Sequence, residues 1–259
     1  MHKVLFIVFA SIMGAAFGSF ACCQAWRIRL KEEKRKDPGK RSVCLNCGKM
    51  LAWYENIPIM SWVIQGGKCR KCGEKIGCAE ILAELFGAIS FGVITWKYLS
   101  AEEINYIGLL LLLPTMVGMI LLAVYDGKWQ EMPTAGLVYV IVMGLAFAVV
   151  EVAHVGVSMD NILSVIGSVA LLAGIYYLLY FFSKERLVGG GDWMLCLSIG
   201  LILGKWQLAL MELFLANFLG SIVMLSRQRK KTGFGPFLVI AFVIVFVFSD
   251  WLLNLFSVN

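Results

Sequence analysis

Histidine is almost missing from this chain. His2 and His154 are the two examples in 259 residues, and neither has an obvious nucleophile beside it. The sequence thus offers no evident Ser–His or Cys–His hydrolytic centre. Charge is scarce as well. Only 15% of the residues are charged and 60% are hydrophobic, against about a quarter and about half in a soluble domain. Apolar runs of about 20 residues recur, which makes this an all-α polytopic membrane protein. There are five prolines and no low-complexity tract, so a disordered chain is excluded. Acidic residues fall short of basic ones, leaving a formal charge of +6. The basic residues are clustered, as on the cytosolic side of membrane proteins, and call for no nucleic acid.

Hydropathy divides the chain into about eight transmembrane helices: Val4 to Trp26, Ala79 to Tyr98, Ile104 to Tyr125, Pro133 to Val152, Ile162 to Phe182, Trp193 to Leu203, Leu208 to Leu225 and Phe237 to Leu255. The sixth is short and takes a glycine-rich approach. The first is read as a retained span. Its strong positive charge, Arg27 to Arg41, follows the apolar run, whereas a signal peptide carries its charge in front. Within it, Gly14 and Gly18 have the small-xxx-small spacing of close helix packing. Three parts are expected: residues 1–26 as the first helix, 27–78 as a polar cysteine-rich loop, and 79–259 as a membrane-embedded core.

Placing the 27–77 loop in the cytosol and alternating from there puts twenty of the twenty-three Lys and Arg inside. Thirteen lie in 27–77, joined by Lys128, Lys184, Arg186 and four in Arg227 to Lys231. Lys3, Lys97 and Lys205 stay outside. That imbalance is what the positive-inside rule requires. The inside clusters are expected to meet anionic headgroups of the bilayer.

The same alternation brings two aspartates to one membrane face. Asp126 ends the third span in Tyr125-Asp126-Gly127. Asp192 opens the sixth after Gly189-Gly190-Gly191. An ionisable group at a membrane boundary is a functional-site hypothesis. Two carboxylates close together share a proton, so one can act as general base on water while the other donates to a carbonyl. Taken singly, either aspartate reads as an ordinary loop-end residue, as Asp250, Asp160 and Glu151 do. The pairing lifts Asp126 and Asp192 to catalytic candidates. Gly189, Gly190 and Gly191 are read as an active-site loop that leaves backbone open to a peptide.

Cys44-Leu45-Asn46-Cys47 and Cys69-Arg70-Lys71-Cys72 have close to the spacing of a four-cysteine structural zinc site. Gly48 and Gly73 follow the pairs, as tight knuckle turns require. A cytosolic loop is reducing, which favours metal over disulfides; reversible disulfides or free thiols are the alternative. Cys22, Cys23 and Cys196 sit in apolar spans and read as packing residues. Cys78 lies outside the pattern.

These residues resemble the bacterial prepilin peptidases, the type IV leader peptidases of the G-x-G-D membrane aspartic protease class. Gly189 to Asp192 looks like the family's G-x-G-D. Asp126 with Pro133 looks like its first aspartate and downstream proline. The cysteine pairs, with Glu55-Asn56-Ile57-Pro58 and Ser61-Trp62 between them, resemble its cytosolic zinc loop. Gly18-Ser19-Phe20 with Arg27, and Phe234-Gly235-Pro236-Phe237-Leu238, resemble its first and last helix motifs. The resemblance implies cleavage of prepilin or pseudopilin leaders after glycine, in type IV pilus or secretion systems. It also implies methylation of the new N-terminus with S-adenosylmethionine, an activity tied to the cysteine loop. Ala21-Cys22 and Glu80-Ile81 depart from the family pattern, although Glu84 fits its second-helix glutamate. Thr134 stands where an aspartate often follows the proline.

Two other readings compete. A presenilin-like intramembrane protease would suit Tyr125-Asp126 and the glycine run, but the chain has no Pro-Ala-Leu motif. A transporter using the two aspartates as a cation or proton site would show inverted repeats, and the sequence has none.

Overall fold

The computed structural model describes residues 2–34, 41–44, 46–184, 188–227 and 233–257. The expected lipid contacts of 35–40, Arg186 and 228–231 lie outside the described residues. Within them, all regular structure is helical apart from two isolated bridges, Val43 with Met50 and Lys68 with Lys75. The helices are α1 (His2–Glu32), α2 (Met60–Ile64), α3 (Cys78–Ser100), α4 (Tyr106–Trp129), α5 (Thr134–Val155), α6 (Met159–Ser183), α7 (Gly190–Leu203), α8 (Trp206–Arg227), α9 (Gly235–Val247) and α10 (Ser249–Ser257). A 3-10 turn covers Trp53–Asn56.

Six of these, α1, α3, α4, α5, α6 and α8, are long and apolar enough to cross a membrane, and the α9–α10 pair makes a seventh if it counts as one span. The expected eight spans are thus cut to six or seven; every expected span meets a helix, but two differ in form. The sixth is α7, whose 14 residues extend only about 21 Å at 1.5 Å per residue. The eighth is not one straight helix. It bends by 73° between Val247 and Ser249. Polar Ser249 and Asp250 sit at the break, and Lys97 Nζ donates to Ser249 Oγ at 2.6 Å and to Asp250 Oδ2 at 2.9 Å. An ion pair in the middle of an apolar run favours a change of direction over a buried charge.

The chain divides into two compact units, residues 1–96 and 97–259. In the first, α1 packs on α3 through its small residues. A Cβ on Gly14 would lie within 2.8 Å of the Gly87 backbone, and one on Gly18 within 2.9 Å of Ala83 and Glu84. The small-xxx-small pattern is therefore a helix seam. α1 also runs six residues past its expected end at Trp26. Arg27 to Glu32 are good helix formers once outside hydrocarbon, and Arg29 pairs with Glu33 at 2.8 Å.

In the second unit α7 is the central element, packed against α5, α6, α8 and α9. Leu195, Cys196, Ile199 and Ile202 are buried. Ser198 Oγ donates to the Val140 carbonyl at 2.7 Å and Ser168 Oγ to the Gly200 carbonyl at 2.9 Å. Gly200 lets the Val169 backbone approach to 3.0 Å of where a Cβ would stand. α4 and α9 close against each other beside it.

Candidate active site and metal centre

The chain folds so that two helix N-termini each receive a carboxylate. Asp192 is the third residue of α7, and its Oδ2 accepts the Gly189 N–H at 2.9 Å. Asp126 lies in the last turn of α4, and its Oδ2 accepts the Gly235 N–H, the first residue of α9, at 2.7 Å. Helix N-termini present free N–H groups and a partial positive charge, so each suits an anion. Both aspartates are buried, with 6% and 7% of their surface exposed. They are also close enough for the Asp192 charge to act on Asp126.

Backbone crowding fixes this arrangement. A Cβ on Gly233 would stand 2.5 Å from Asp126 Oδ2, and one on Gly235 3.1 Å from the same atom and 2.7 Å from Met132 Cε. A Cβ on Gly191 would stand 2.8 Å from Met132 Cβ. Met132, between α4 and α5, therefore wedges between the start of α7 and the start of α9.

The glycine run is not the open loop that the sequence suggested. Gly189 is the N-cap of α7, in extended backbone, while Gly190 and Gly191 form its first turn. Among the three only Gly191 is sterically required. Cβ atoms at Gly189 and Gly190 would meet ordinary contacts, 3.4 Å to Asp192 Oδ2 and 3.5 Å to Tyr180. Gly233, Gly235 and Met132 belong to the site and were not candidates. The Gly-x-Gly spacing at 233–235 directly before a proline at a helix start was the available signal.

The cysteine loop gathers its four sulfurs. Cys44, Cys47, Cys69 and Cys72 place their Sγ atoms within 4.8 Å of one another. Cys44 and Cys72 are 3.8 Å apart, and Cys47 and Cys69 4.0 Å. These distances are too long for a disulfide. They fit the edges of a tetrahedral four-sulfur metal site, about 3.8 Å for metal–sulfur bonds of about 2.3 Å. The two knuckles are built alike. Gly48 N–H donates to the Cys44 carbonyl and Gly73 N–H to that of Cys69, both at 2.9 Å. Each glycine has φ near +70°, at 68° and 70°, the left-handed region that glycine enters without penalty.

Cys69 and Cys47 are shifted in opposite directions. N–H groups of Cys72 and Lys71 hold the Cys69 thiol down at about 6. The Lys49 backbone pulls on Cys47, yet burial and its sulfur neighbours push it up to about 11. Crowded thiols ionise one at a time unless a cation balances them. Beside the first knuckle, Lys49 Nζ lies 2.7 Å from Glu55 Oε1, and Glu55 Oε2 accepts the Ala52 N–H at 3.0 Å. That pairing holds the Glu55 carboxyl below its usual range and the Lys49 ammonium above its own. Cys22 and Cys196 are buried, Cys23 is half-buried and Cys78 is exposed.

Comparison with known proteins follows the same division. Residues 12–98 match the bacterial peptidase A24 N-terminal domain, and residues 113–225 match the type IV leader peptidase family. A prepilin leader peptidase/N-methyltransferase of Vibrio cholerae is 30% identical over 94% of this chain and 97% of its own length. Proteins of the same description from Pseudomonas putida and Pseudomonas aeruginosa are each 26% identical over 96% of this chain, and over 93% and 92% of their own lengths. No solved structure matches the chain. With a relative of that identity aligned almost end to end, and both of its regions matched, the chain belongs to the type IV leader peptidase family.

Proposed function

We propose that this protein cleaves prepilin or pseudopilin leader peptides after glycine, using Asp126 and Asp192 as a dyad, and then methylates the new N-terminal amine. The observation that carries this reading is the pair of buried carboxylates at the α7 and α9 N-termini, electrostatically in touch. One carboxylate takes a proton from water as the water oxygen attacks the scissile carbonyl. The protonated partner donates a hydrogen bond to the carbonyl oxygen. When the C–N bond breaks, the leaving amine receives the proton. Fixed N–H donors keep each carboxylate in place throughout.

On this reading Asp126 and Asp192 meet the leader–helix junction at the membrane boundary. The cytoplasmic membrane is the proposed location, with the cysteine loop in the cytosol. Thirteen of the twenty-three basic residues lie in 27–77 alone, and the positive-inside rule places such a loop in the cytosol. Prepilins and the surrounding bilayer are the partners. Zinc is the metal that four thiolates in a tetrahedron suit best, held by Cys44, Cys47, Cys69 and Cys72, where it would supply folding energy to a small loop. S-adenosylmethionine would enter as the methyl-donating second substrate. The functional parts follow as residues 1–26, the zinc loop 27–78 and the peptidase core 79–259.

Mass spectrometry of a co-expressed pilin tests the reading. Removal of the leader at a glycine, with 14 mass units added to the new N-terminus, is the expected result. An intact leader would rule out the peptidase.

A further inference from the structure

Ile59 has a backbone that isoleucine avoids. Its φ and ψ are 62° and −55°, and the Met60 N–H donates back to the Pro58 carbonyl at 2.6 Å. That is a γ-turn with positive φ at its centre, a rare and strained form. Positive φ is a genuine outlier for a β-branched side chain. Glycine would adopt it freely, so something must hold isoleucine there. The holder is Glu84 on α3. Its Oε2 accepts the Ile59 N–H at 2.7 Å, and Glu84 is only 8% exposed.

The strained turn sits midway between the two knuckles. On one side the 3-10 turn is tied to the first knuckle through Glu55 and Lys49. On the other, α2 begins at Met60, and the Trp62 ring covers Gly67, where a Cβ would stand 2.8 Å from Cζ2. Just beyond, Gly67 accepts the Ile76 N–H at 2.7 Å, next to the second knuckle. Strain of this kind persists only where the surroundings over-determine it, and it concentrates at functional segments.

We propose that Glu84 is a positioning residue for the methyl-transfer reaction. Its carboxylate holds the Ile59 turn, and so seats residues 53–64 on α3 in the form that reaction uses. This rests on the methyl-transfer reading above. Glu84, Ile59 and the cysteines share residues 1–96, which the bacterial peptidase A24 N-terminal domain matches, whereas both aspartates proposed for cleavage lie in residues 97–259. Of the two proposed activities, methyl transfer is therefore the one left to the unit that holds Glu84. The aligned relatives carry both activities in their descriptions.

Four variants of the full-length enzyme, co-expressed with a prepilin, test this by mass spectrometry of the pilin N-terminus. Glu84→Ala is expected to cleave as the parent does but to lower the methylated fraction about tenfold, the order of one lost charge-assisted hydrogen bond. Glu84→Gln keeps an acceptor for the Ile59 N–H and should retain most methylation. Ile59→Gly removes the strain and should methylate normally. Combined with Glu84→Ala, it should restore methylation, because glycine enters the turn without strain. Full methylation by Glu84→Ala, or no recovery in the double variant, overturns the proposal. If Glu84→Ala loses its metal and misfolds, Glu84→Gln and the double variant decide by the same criteria. A parent enzyme that cleaves without methylating would instead sink the methyl-transfer reading, and this inference with it.

Discussion

The Asp126 carboxylate accepts the Gly235 N–H at 2.7 Å across 109 residues of sequence. This one contact joins the end of α4 to the start of α9. With Met132 reaching from Gly235 to Gly191, it sets where Asp126 stands beside α7 and its Asp192.

The first prediction concerns the dyad. Asp126→Asn and Asp192→Asn should each reduce prepilin cleavage by about a hundredfold to ten-thousandfold, the range for loss of a general acid or base. Protein levels should stay unchanged, because asparagine can still accept the helix N-terminal N–H. Immunoblots of a co-expressed prepilin read both quantities. Cleavage by either variant at the parent rate would remove that residue from the chemistry.

The glycines should not respond alike. Gly191→Ala and Gly233→Ala force a Cβ to within 2.8 Å of Met132 and 2.5 Å of the Asp126 carboxylate. Overpacking of that kind costs about 1–3 kcal/mol, and here it falls on the proposed dyad, so activity should drop steeply. Gly190→Ala, with only an ordinary contact to Tyr180, should remain active. Leader-cleavage rates of the three variants at equal expression give the order. A Gly190 variant as impaired as Gly191 would contradict it.

Metal binding can be measured directly. The purified enzyme is expected to carry one zinc ion per chain, by analogy with four-cysteine structural sites. Cys44→Ser and Cys72→Ser should each lose it, since a tetrahedral site has no spare ligand. Elemental analysis of the protein is the measurement. Protease resistance of the loop should fall with metal content, because binding and folding are linked.

The loop should also have a pH window set by Glu55 and Lys49. The Glu55 carboxyl is held below its ordinary value of 4.5 by the Lys49 side chain. Its contribution is therefore fully present above that value and is lost as pH falls through the lowered one. Lys49 is raised above 10.5 by Glu55, so its share is complete below that value and is lost as pH rises through the higher one. Hydrogen exchange around residues 49–56 should be slowest between these limits, and Glu55→Gln should speed it within the window. If Glu55→Gln exchanges like the parent at neutral pH, the pair contributes nothing to loop stability.

Much of this molecule was legible in the chain itself. Runs of apolar residues are a local property, so hydropathy located the apolar helices, though not which of them are long or straight enough to cross. The cysteine knuckles are also local. Cys-x-x-Cys-Gly specifies a turn within six residues, and both knuckles formed as that pattern requires. Asp126 and Asp192 could be paired because alternation of spans is one-dimensional arithmetic.

Other features depended on contacts between distant segments. The α9–α10 bend rests on Lys97 reaching Ser249 and Asp250, more than 150 residues away. Hydropathy cannot register such an ion pair. Which glycine matters was hidden as well, because Gly189, Gly190 and Gly191 differ only in what each packs against. Gly233 and Gly235 entered the site by lying against Asp126, and the strained turn at Ile59 exists only because Glu84, 25 residues on, accepts its N–H. The sequence by itself determined the apolar segments, the two cysteine knuckles and the choice of Asp126 and Asp192 as the candidate pair. Only the tertiary structure decided which backbone N–H groups hold those carboxylates and which glycines make room for them, since both depend on chain segments brought together by packing.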